Sequence, residues 1–306
     1  MTDQKQRAVV TGGAGFVGCH IVDALAEHGF DVHVIDNYAA GKREERLNPQ
    51  ATYHELDIRN AEDIVPVIAG AKYVFHEAAL PRVQFSIENP LLTFDVNVQG
   101  TVNVLKAAVD ARVKRLVYAA SSSAYGDQTA MPLVETMSAN PKSPYGLQKY
   151  MGEEMCRLWS EVYKLPTVCL RYFNVYGPKF DPNGPYALVM GKFILQKSQG
   201  KPLTIWGDGT HTRDYTHVSD IVRANLLAME SSNVGAGETI NVGAGKELSV
   251  NDLAAIIGGP AVHEEERLEP ARTLADIGKA KELLGWEPLM KREEGIQDMM
   301  ASFGVK

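Results

Sequence analysis

Short apolar runs and amphipathic stretches succeed one another through the first half of the chain. Runs rich in Val, Ile, Leu, Tyr and Phe at 7–11, 31–35, 51–56, 73–76, 114–120 and 166–172 predict strands. Apolar residues at helical spacing predict helices over 19–28, 60–69, 90–112 and a segment ending near 163. The first of these closes on Gly29 like a helix C-cap, and Asn60 stands where the second needs an N-cap. Strands alternating with helices imply a doubly wound parallel sheet with helices on both faces, and such sheets bind ligands at the carboxyl ends of their strands.

The pattern changes after residue 175. Residues 176–185 are dense in Pro and Gly and read as a long ordered loop, with further turn signals at 207–209 and 235–237. Residues 238–242 resemble one more strand returning to the sheet. The expected organisation is a domain over 1–175, its sheet completed by about 215–243, and a smaller C-terminal α/β domain made mainly of 176–306.

Composition narrows the function. The 306 residues are 45% hydrophobic and 23% charged, ordinary values for a globular protein with ample core. A formal net charge of −7 speaks against a nucleic-acid partner. No apolar run approaches the roughly 20 residues that a membrane helix needs, and the polar residues 1–7 show no signal peptide. Cys19, Cys156 and Cys169 are scattered, without CxxC or HxxxH spacing, so reduced, packed thiols and no metal are expected. These features together describe a cytoplasmic protein.

The candidate chemistry lies at the strand ends. Strand 7–11 runs into Gly12-Gly13-Ala14-Gly15-Phe16-Val17-Gly18, a GxxGxxG variant of the dinucleotide fingerprint. Its glycines permit a tight turn, close approach to a pyrophosphate and tight helix–strand packing, while the helix start offers free N–H groups. Asp36, eighteen residues past Gly18, ends the next strand and is followed by Asn37. A carboxylate there accepts bonds from ribose hydroxyls and repels a 2′-phosphate, which favours NAD over NADP; Lys42 and Arg43 nearby are the counter-indication. Asp57 and Ile58 follow the third strand as a candidate adenine contact. Small residues Ala78 and Ala79 follow the fourth, and Ser121, Ser122 and Ser123 end the fifth. Tyr145 and Lys149, four apart in a helical segment, share one face. A fixed ammonium beside a phenol moves its pKa from roughly 10 toward the range a general base needs.

These residues, with Asn97 and Arg171-Tyr172-Phe173-Asn174, resemble the extended short-chain dehydrogenase/reductases of the NAD-dependent epimerase/dehydratase family, with a Rossmann-type sheet. Within it they are most similar to nucleotide-sugar 4-epimerases of the UDP-glucose (UDP-GlcNAc) 4-epimerase type. The C-terminal half agrees at Gly207-Asp-Gly-Thr-His-Thr-Arg213-Asp-Tyr-Thr-His-Val218 and Leu284-Gly-Trp286. The resemblance implies NAD held at Gly12, Gly15, Phe16, Val17, Gly18, Asp36, Asn37, Asp57, Ile58, Ala78, Ala79, Asn97, Tyr145, Lys149 and Tyr172. Tyr145 would take the proton of the sugar 4-hydroxyl while hydride leaves C4. Lys149 would bind the nicotinamide ribose and hold Tyr145 ionised. Ser123, helped by Ser122, would pass or polarise the proton, with Ser121 left as a strand-end cap. The 4-keto sugar would turn over and receive hydride on its other face. Asn174 would bond the UDP-sugar, Arg213 its diphosphate, Arg272 or Arg267 a second phosphate contact, and Phe193 would lie near the base or, equally, in the core.

Three departures from the family pattern stand out: Ala187-Leu-Val-Met190, the shortened Arg267-Leu-Glu-Pro270, and Arg82 where a small residue is commoner. Arg82 suits a solvated charge or a contact to a charged group of substrate or cofactor. Thr273, three before Asp276, falls where the family sets the width of the sugar pocket, so tolerance of a 2-acetamido group is one expectation. The nucleotide-sugar dehydratases and UDP-glucuronate decarboxylases need a carboxylate where Ser122-Ser123-Ala124 stands. UDP-glucuronate 4-epimerase stays open, and a non-catalytic NAD-binding regulator is the remote alternative, since such proteins lose the Tyr or Lys. The resemblance also implies a homodimer through helices near 90–112 and 144–163, using Val98, Val102, Leu105, Met151, Met155 and Leu158.

Overall fold

The structure, a computed structural model, describes residues 5–182, 189–265 and 272–305. Its strands are β1 (Arg7–Thr11), β2 (Asp31–Asp36), β3 (Thr52–Glu55), β4 (Tyr73–His76), β5 (Arg115–Ser121), β6 (Thr167–Tyr172), β7 (Val175–Tyr176), β8 (Leu203–Trp206), β9 (Thr212–Asp214), β10 (Thr216–His217), β11 (Ala236–Val242), β12 (Glu247–Ser249) and β13 (Ala261–Glu264). Seven of them form one sheet in the order β11-β6-β5-β4-β1-β2-β3, and every neighbouring pair is parallel. From β1 the chain builds one way to β3, then returns to β4 and builds the other way. The crevice at the carboxyl ends of β1 and β4 is therefore the topological switch point where such sheets take their ligand.

The helices are α1 (Phe16–Glu27), α2 (Ala61–Ile68), α3 (Val83–Glu88), α4 (Pro90–Phe94), α5 (Gly100–Asp110), α6 (Pro144–Tyr163), α7 (Val189–Ser198), α8 (Val218–Glu230), α9 (Val250–Ile257), α10 (Gly278–Leu284) and α11 (Arg292–Ser302). Alternation along the strands feeds two cores. Ala8 and Val10 face α1 and α8 with Ile21, Leu25 and Ile221, while Val9 faces α2 and α5 with Ile64, Ile68 and Leu105. A third core gathers Met190, Phe193, Ile194, Leu203, Ile257, Ile296 and Met299 from the C-terminal elements.

One expected helix, 90–112, is broken in the middle. A π-helical turn, Asp95–Gln99, separates α4 from α5 and carries Asn97, a kind of distortion that collects at functional sites. Helix α1 starts three residues earlier than its apolar stripe suggested: Gly15 is extended, and the Cys19 amide already bonds to Gly15 O at 3.1 Å. Helix α6 starts as its sequence dictates. Ser143 Oγ caps the Gly146 amide and Pro144 occupies the first turn. Its buried face, Tyr145, Gln148, Lys149, Gly152, Glu153 and Cys156, recurs at three- and four-residue steps against the sheet.

Candidate active site

The dinucleotide half of the crevice is built from backbone. Gly12 sits at φ +72, and a Cβ there would lie 2.6 Å from the Ala78 amide; one on Gly18 would lie 2.2 Å from Gly12 O. Only glycine lets β1, α1 and the loop after β4 approach this closely. Phe16 meets Phe180 edge-to-face at 5.2 Å, and Val17 packs on the core beneath α1. Both oxygens of Asp36 are occupied, by the Ala14 amide at 2.9 Å and the Tyr38 amide at 2.8 Å. Burial pushes its carboxyl up, and those two amides oppose the shift. Each oxygen keeps a lone pair for a ribose hydroxyl. Asp57 is tied to Arg59 at 2.7 Å and Asn37 at 3.0 Å, and the Arg59 bonds hold it at about 2. It braces the ends of β2 and β3.

Two residues expected at the cofactor are instead occupied inside the fold. Ile58 is buried beneath α5, where a Cβ on Gly100 would strike its side chain at 2.5 Å. Asn97 is 1% exposed; it accepts from the Leu80 amide at 2.8 Å and donates to Gln148 Oε1 at 2.8 Å. It therefore holds the loop after β4, which carries Ala78 and Ala79, rather than reaching into the crevice.

The candidate catalytic half lies at the end of β5. Ser121, rather than the expected Ser123, is the serine whose side chain pulls the Tyr145 phenol down. Strand β5 runs one residue further than its apolar stretch, so Ser121 is still on the strand and Ser122–Ala124 form a 3-10 turn. Ser121 also accepts the Ser123 amide at 3.2 Å, so it caps the turn as expected and serves the phenol as well.

Lys149 is buried, donating to Ala119 O at 2.7 Å over the face of Tyr118. Its Nζ reaches this carbonyl and the field of Glu77 rather than the Tyr145 oxygen. Accordingly the phenol is not lowered as the sequence suggested. Burial pushes it up to about 12, the Ser121 bond pulls it down and the Glu77 charge adds to the rise. Below the site, His76 bridges Thr11 at 2.7 Å and Thr101 at 2.9 Å, and burial holds it down at about 3, neutral. The Tyr172 hydroxyl donates to Glu77 Oε1 at 2.8 Å, so its phenol is committed within the sheet end.

The remaining expected contacts come from β6 onward. Asn174, at φ +27, donates to Asp214 O at 3.1 Å and to Thr273 Oγ1 at 3.4 Å. The Thr273 hydroxyl also receives the Asp214 amide at 3.3 Å, so Thr273 stands beside Asn174. Asp214 itself is a buried hub accepting the Ala244, Gly245 and Ala275 amides. Arg213 lies half-buried on β9, its guanidinium bonded to Thr212 O at 2.9 Å. Arg272 bridges to Thr212 in the backbone, and its guanidinium is taken up in a two-pronged pair with Glu247. Arg267 lies outside the described residues, as do residues 187 and 188 of the atypical stretch. Phe193 is fully buried in the third core; it is a packing residue, not a stacking surface. The aromatic face at the neighbouring open cleft is Trp206, with Lys192 4.6 Å over its ring.

A glycine cradle closed by Ala78, a carboxylate at the tip of β2 and a Tyr/Lys pair at the end of β5 define a nicotinamide-dinucleotide-dependent protein of the short-chain dehydrogenase/reductase type. The chain belongs to the NAD dependent epimerase/dehydratase family, whose model matches residues 8–243. A Methanocaldococcus jannaschii protein, provisionally named a UDP-glucose 4-epimerase, is 41% identical over 94% of this chain and 95% of its own. Among solved structures, UDP-glucose 4-epimerase from Thermotoga maritima with UDP-glucose is 37% identical with a TM-score of 0.92, covering 98% and 99% of the two chains. UDP-N-acetylglucosamine 4-epimerase from Methanobrevibacter ruminantium M1, in complex with UDP-N-acetylmuramic acid, is 35% identical with a TM-score of 0.93, covering 98% of each. NAD is the cofactor; the cradle that any Cβ would fill is the feature of this chain that fits it.

Proposed function

We propose that this enzyme inverts C4 of a UDP-hexose, UDP-glucose/UDP-galactose or UDP-GlcNAc/UDP-GalNAc, through a transient 4-keto sugar. The observation that carries this is the convergence of Tyr145, Ser121 and Lys149 at the end of β5 beside the glycine cradle. NAD, held by the glycine cradle and Asp36, would supply the hydride acceptor and donor for C4. Tyr145 removes the 4-hydroxyl proton and gives it back, Ser121 bonds to the phenol oxygen as its charge changes, and Lys149 supplies the neighbouring positive charge. Arg213 faces the diphosphate and Asn174 the sugar. Proton NMR of the purified enzyme with UDP-glucose, UDP-GlcNAc and UDP-glucuronate in separate tubes, without added NAD, tests the assignment. Appearance of the C4 epimer of the first or second supports it; turnover of UDP-glucuronate alone would replace it with a glucuronate epimerase.

The place of Thr273 beside Asn174 supports room for a 2-acetamido group. Thr273→Tyr is expected to lower kcat/KM on UDP-GlcNAc by about 10–100-fold and to spare UDP-glucose. An unchanged preference would sink the pocket-width idea.

The apolar stripe Leu147, Met151, Met155, Leu158, Val162 lies along one face of α6, with Leu147, Leu158 and Val162 exposed. Leu91, 85% exposed, and Phe94 lie on the adjoining α4. Such a patch supports a homodimer through α4 and α6. On the partner helix the expected face is different: Val98 is buried and Leu105 lies in the second core, so they do not serve it. Sedimentation equilibrium at micromolar concentration is expected to show a dimer, and a monomer would rule it out. The described residues contain no helix long and apolar enough to cross a membrane, and three buried free cysteines suit a reducing compartment such as the cytoplasm.

A further inference from the structure

Lys42, Arg43 and Arg46 all fall within ten residues of Asp36, and each has a partner in the fold. Lys42 Nζ stands 4.9 Å from the centre of the Tyr38 ring. Arg43 Nη2 pairs with Asp181 Oδ2 at 2.7 Å, the two side chains 28% and 24% exposed. Arg46 is 3% exposed and donates twice to Lys179 O, from Nε at 3.1 Å and from Nη2 at 2.6 Å. Both arginines thus fasten the loop after β2 to one short strap, residues 177–182, which follows β7. The strap is fastened to α1 as well. Lys179 Nζ donates to Asp23 Oδ2 at 2.8 Å, and His20 Nε2 donates to Pro178 O at 3.0 Å. The Phe180 ring meets Phe16 edge-to-face at 5.2 Å, and a Cβ on Gly191 of α7 would come within 2.5 Å of that ring. Phe180 is therefore a wedge between the first residue of α1 and the third core.

These ties meet at the two segments on which the adenosine half of a dinucleotide depends. Phe16 directly follows Gly15, at the helix end that offers its N–H groups to a pyrophosphate. Asp36 opens the fastened loop and also holds the Ala14 amide of the glycine turn. We propose that the strap is a retention clasp for NAD: Arg43 and Arg46, seated on Asp181 and Lys179 O, are positioning residues that keep the loop after Asp36 closed against α1, so that the dinucleotide leaves only when the strap undocks. A single half-exposed ion pair would do little here. The clasp is stronger because its ties form a network through Lys179, and because one of them is a buried guanidinium whose removal leaves a carbonyl unpaired. Its two ion pairs, Arg43–Asp181 and Lys179–Asp23, remain partly exposed, so salt screens them and loosens the strap.

The test is the rate at which holoenzyme loaded with radiolabelled NAD exchanges it against excess unlabelled NAD, read by rapid gel filtration. Asp181→Asn and Arg46→Met are each expected to speed release by about three- to tenfold. Exchanging the charges, Arg43→Asp with Asp181→Arg, is expected to bring the rate back near that of the parent. In the parent, release should quicken between about 0.02 M and about 0.5 M NaCl, and this response should shrink in Asp181→Asn. A clasp that only supports the fold would lower the thermal midpoint and leave the exchange rate where it is. That result, or a parent release rate indifferent to salt, would overturn the proposal. Should Arg46→Met fail to fold, the salt series on the parent and on Asp181→Asn decides alone. The proposal rests on NAD as cofactor and not on the sugar. Faster release from the variants of a protein inactive on every UDP-sugar would sink the epimerase assignment and leave the clasp standing.

Discussion

Tyr145→Phe is expected to lower kcat on the UDP-sugar by on the order of a thousandfold. The ring of Tyr145 is buried against the sheet, and Phe fills the same volume, so the thermal midpoint and the amount of NAD carried through purification should stay those of the parent. What would be lost is the oxygen proposed to receive the 4-hydroxyl proton. The serines separate two versions of the mechanism. Ser121 is the serine that acts on the phenol, whereas Ser123 has its carbonyl against Gly146. Ser121→Ala should therefore cost more in kcat than Ser123→Ala, at equal stability. The reverse order would return the proton-handling role to Ser123, and a Tyr145→Phe enzyme within tenfold of the parent would remove Tyr145 from the chemistry altogether.

The strand-end serines show why part of this site was hidden in the sequence. The sheet, the glycine cradle and Asp36 were legible, because each rests on a local rule: period-two apolar runs, tight turns that exclude side chains, an acid at a strand tip. Which serine acts on Tyr145 depends on where β5 stops, and its one-residue extension keeps Ser121 on the strand end. Phe193 was open between base and core, and the core reading holds: Met190, Phe193 and Ile194 form a three- and four-residue stripe on α7, a core signature already present in the sequence. For Asn97, the π-helical turn that aims its amide at Leu80 has no sequence signal of its own. Glu77 had no role in the sequence reading; its partner Tyr172 lies 95 residues away, and Tyr172 in turn receives Asn225, 53 residues further on. Contacts of that range are set by topology, not by neighbours in the chain. The expected effect of Lys149 on Tyr145 was misplaced for a related reason: four residues along a helix fix a shared face, but not which acceptor a long flexible side chain reaches.

Arg171→Met is expected to cost about 3–5 kcal/mol of stability at neutral pH, because it strands a buried charge. Arg171 and Glu153 form a two-pronged pair, Nε to Oε1 at 2.8 Å and Nη2 to Oε2 at 2.6 Å, with side chains 4% and 2% exposed. The guanidinium also lies 4.4 Å from the centre of the Tyr125 ring. Methionine replaces much of the volume and leaves the Glu153 carboxylate in the core without its counter-charge. Burial already pushes the Glu153 carboxyl up, with Arg171 pulling it back; without the arginine it rises further. A carboxyl whose folded pKa lies above its unfolded value binds its proton preferentially in the folded state. The variant therefore recovers as pH falls through that raised value, and its deficit is smallest below the unfolded value of about 4.3. Urea unfolding at pH 7 and pH 5 measures this, with a smaller gap to the parent expected at pH 5. Removing both charges, Arg171→Met with Glu153→Leu, should restore most of the loss, since two apolar side chains leave nothing unpaired. A pH-independent deficit, or a double variant as weak as the single one, would mean that lost packing on Tyr125 and not the stranded charge carries the effect. Glu153 sits one helical turn beyond Lys149 on the same buried face, so the pair also fixes the stretch of α6 that presents Lys149 to Ala119 and Glu77. A partial loss of turnover in Arg171→Met at temperatures where it is fully folded is the corresponding expectation.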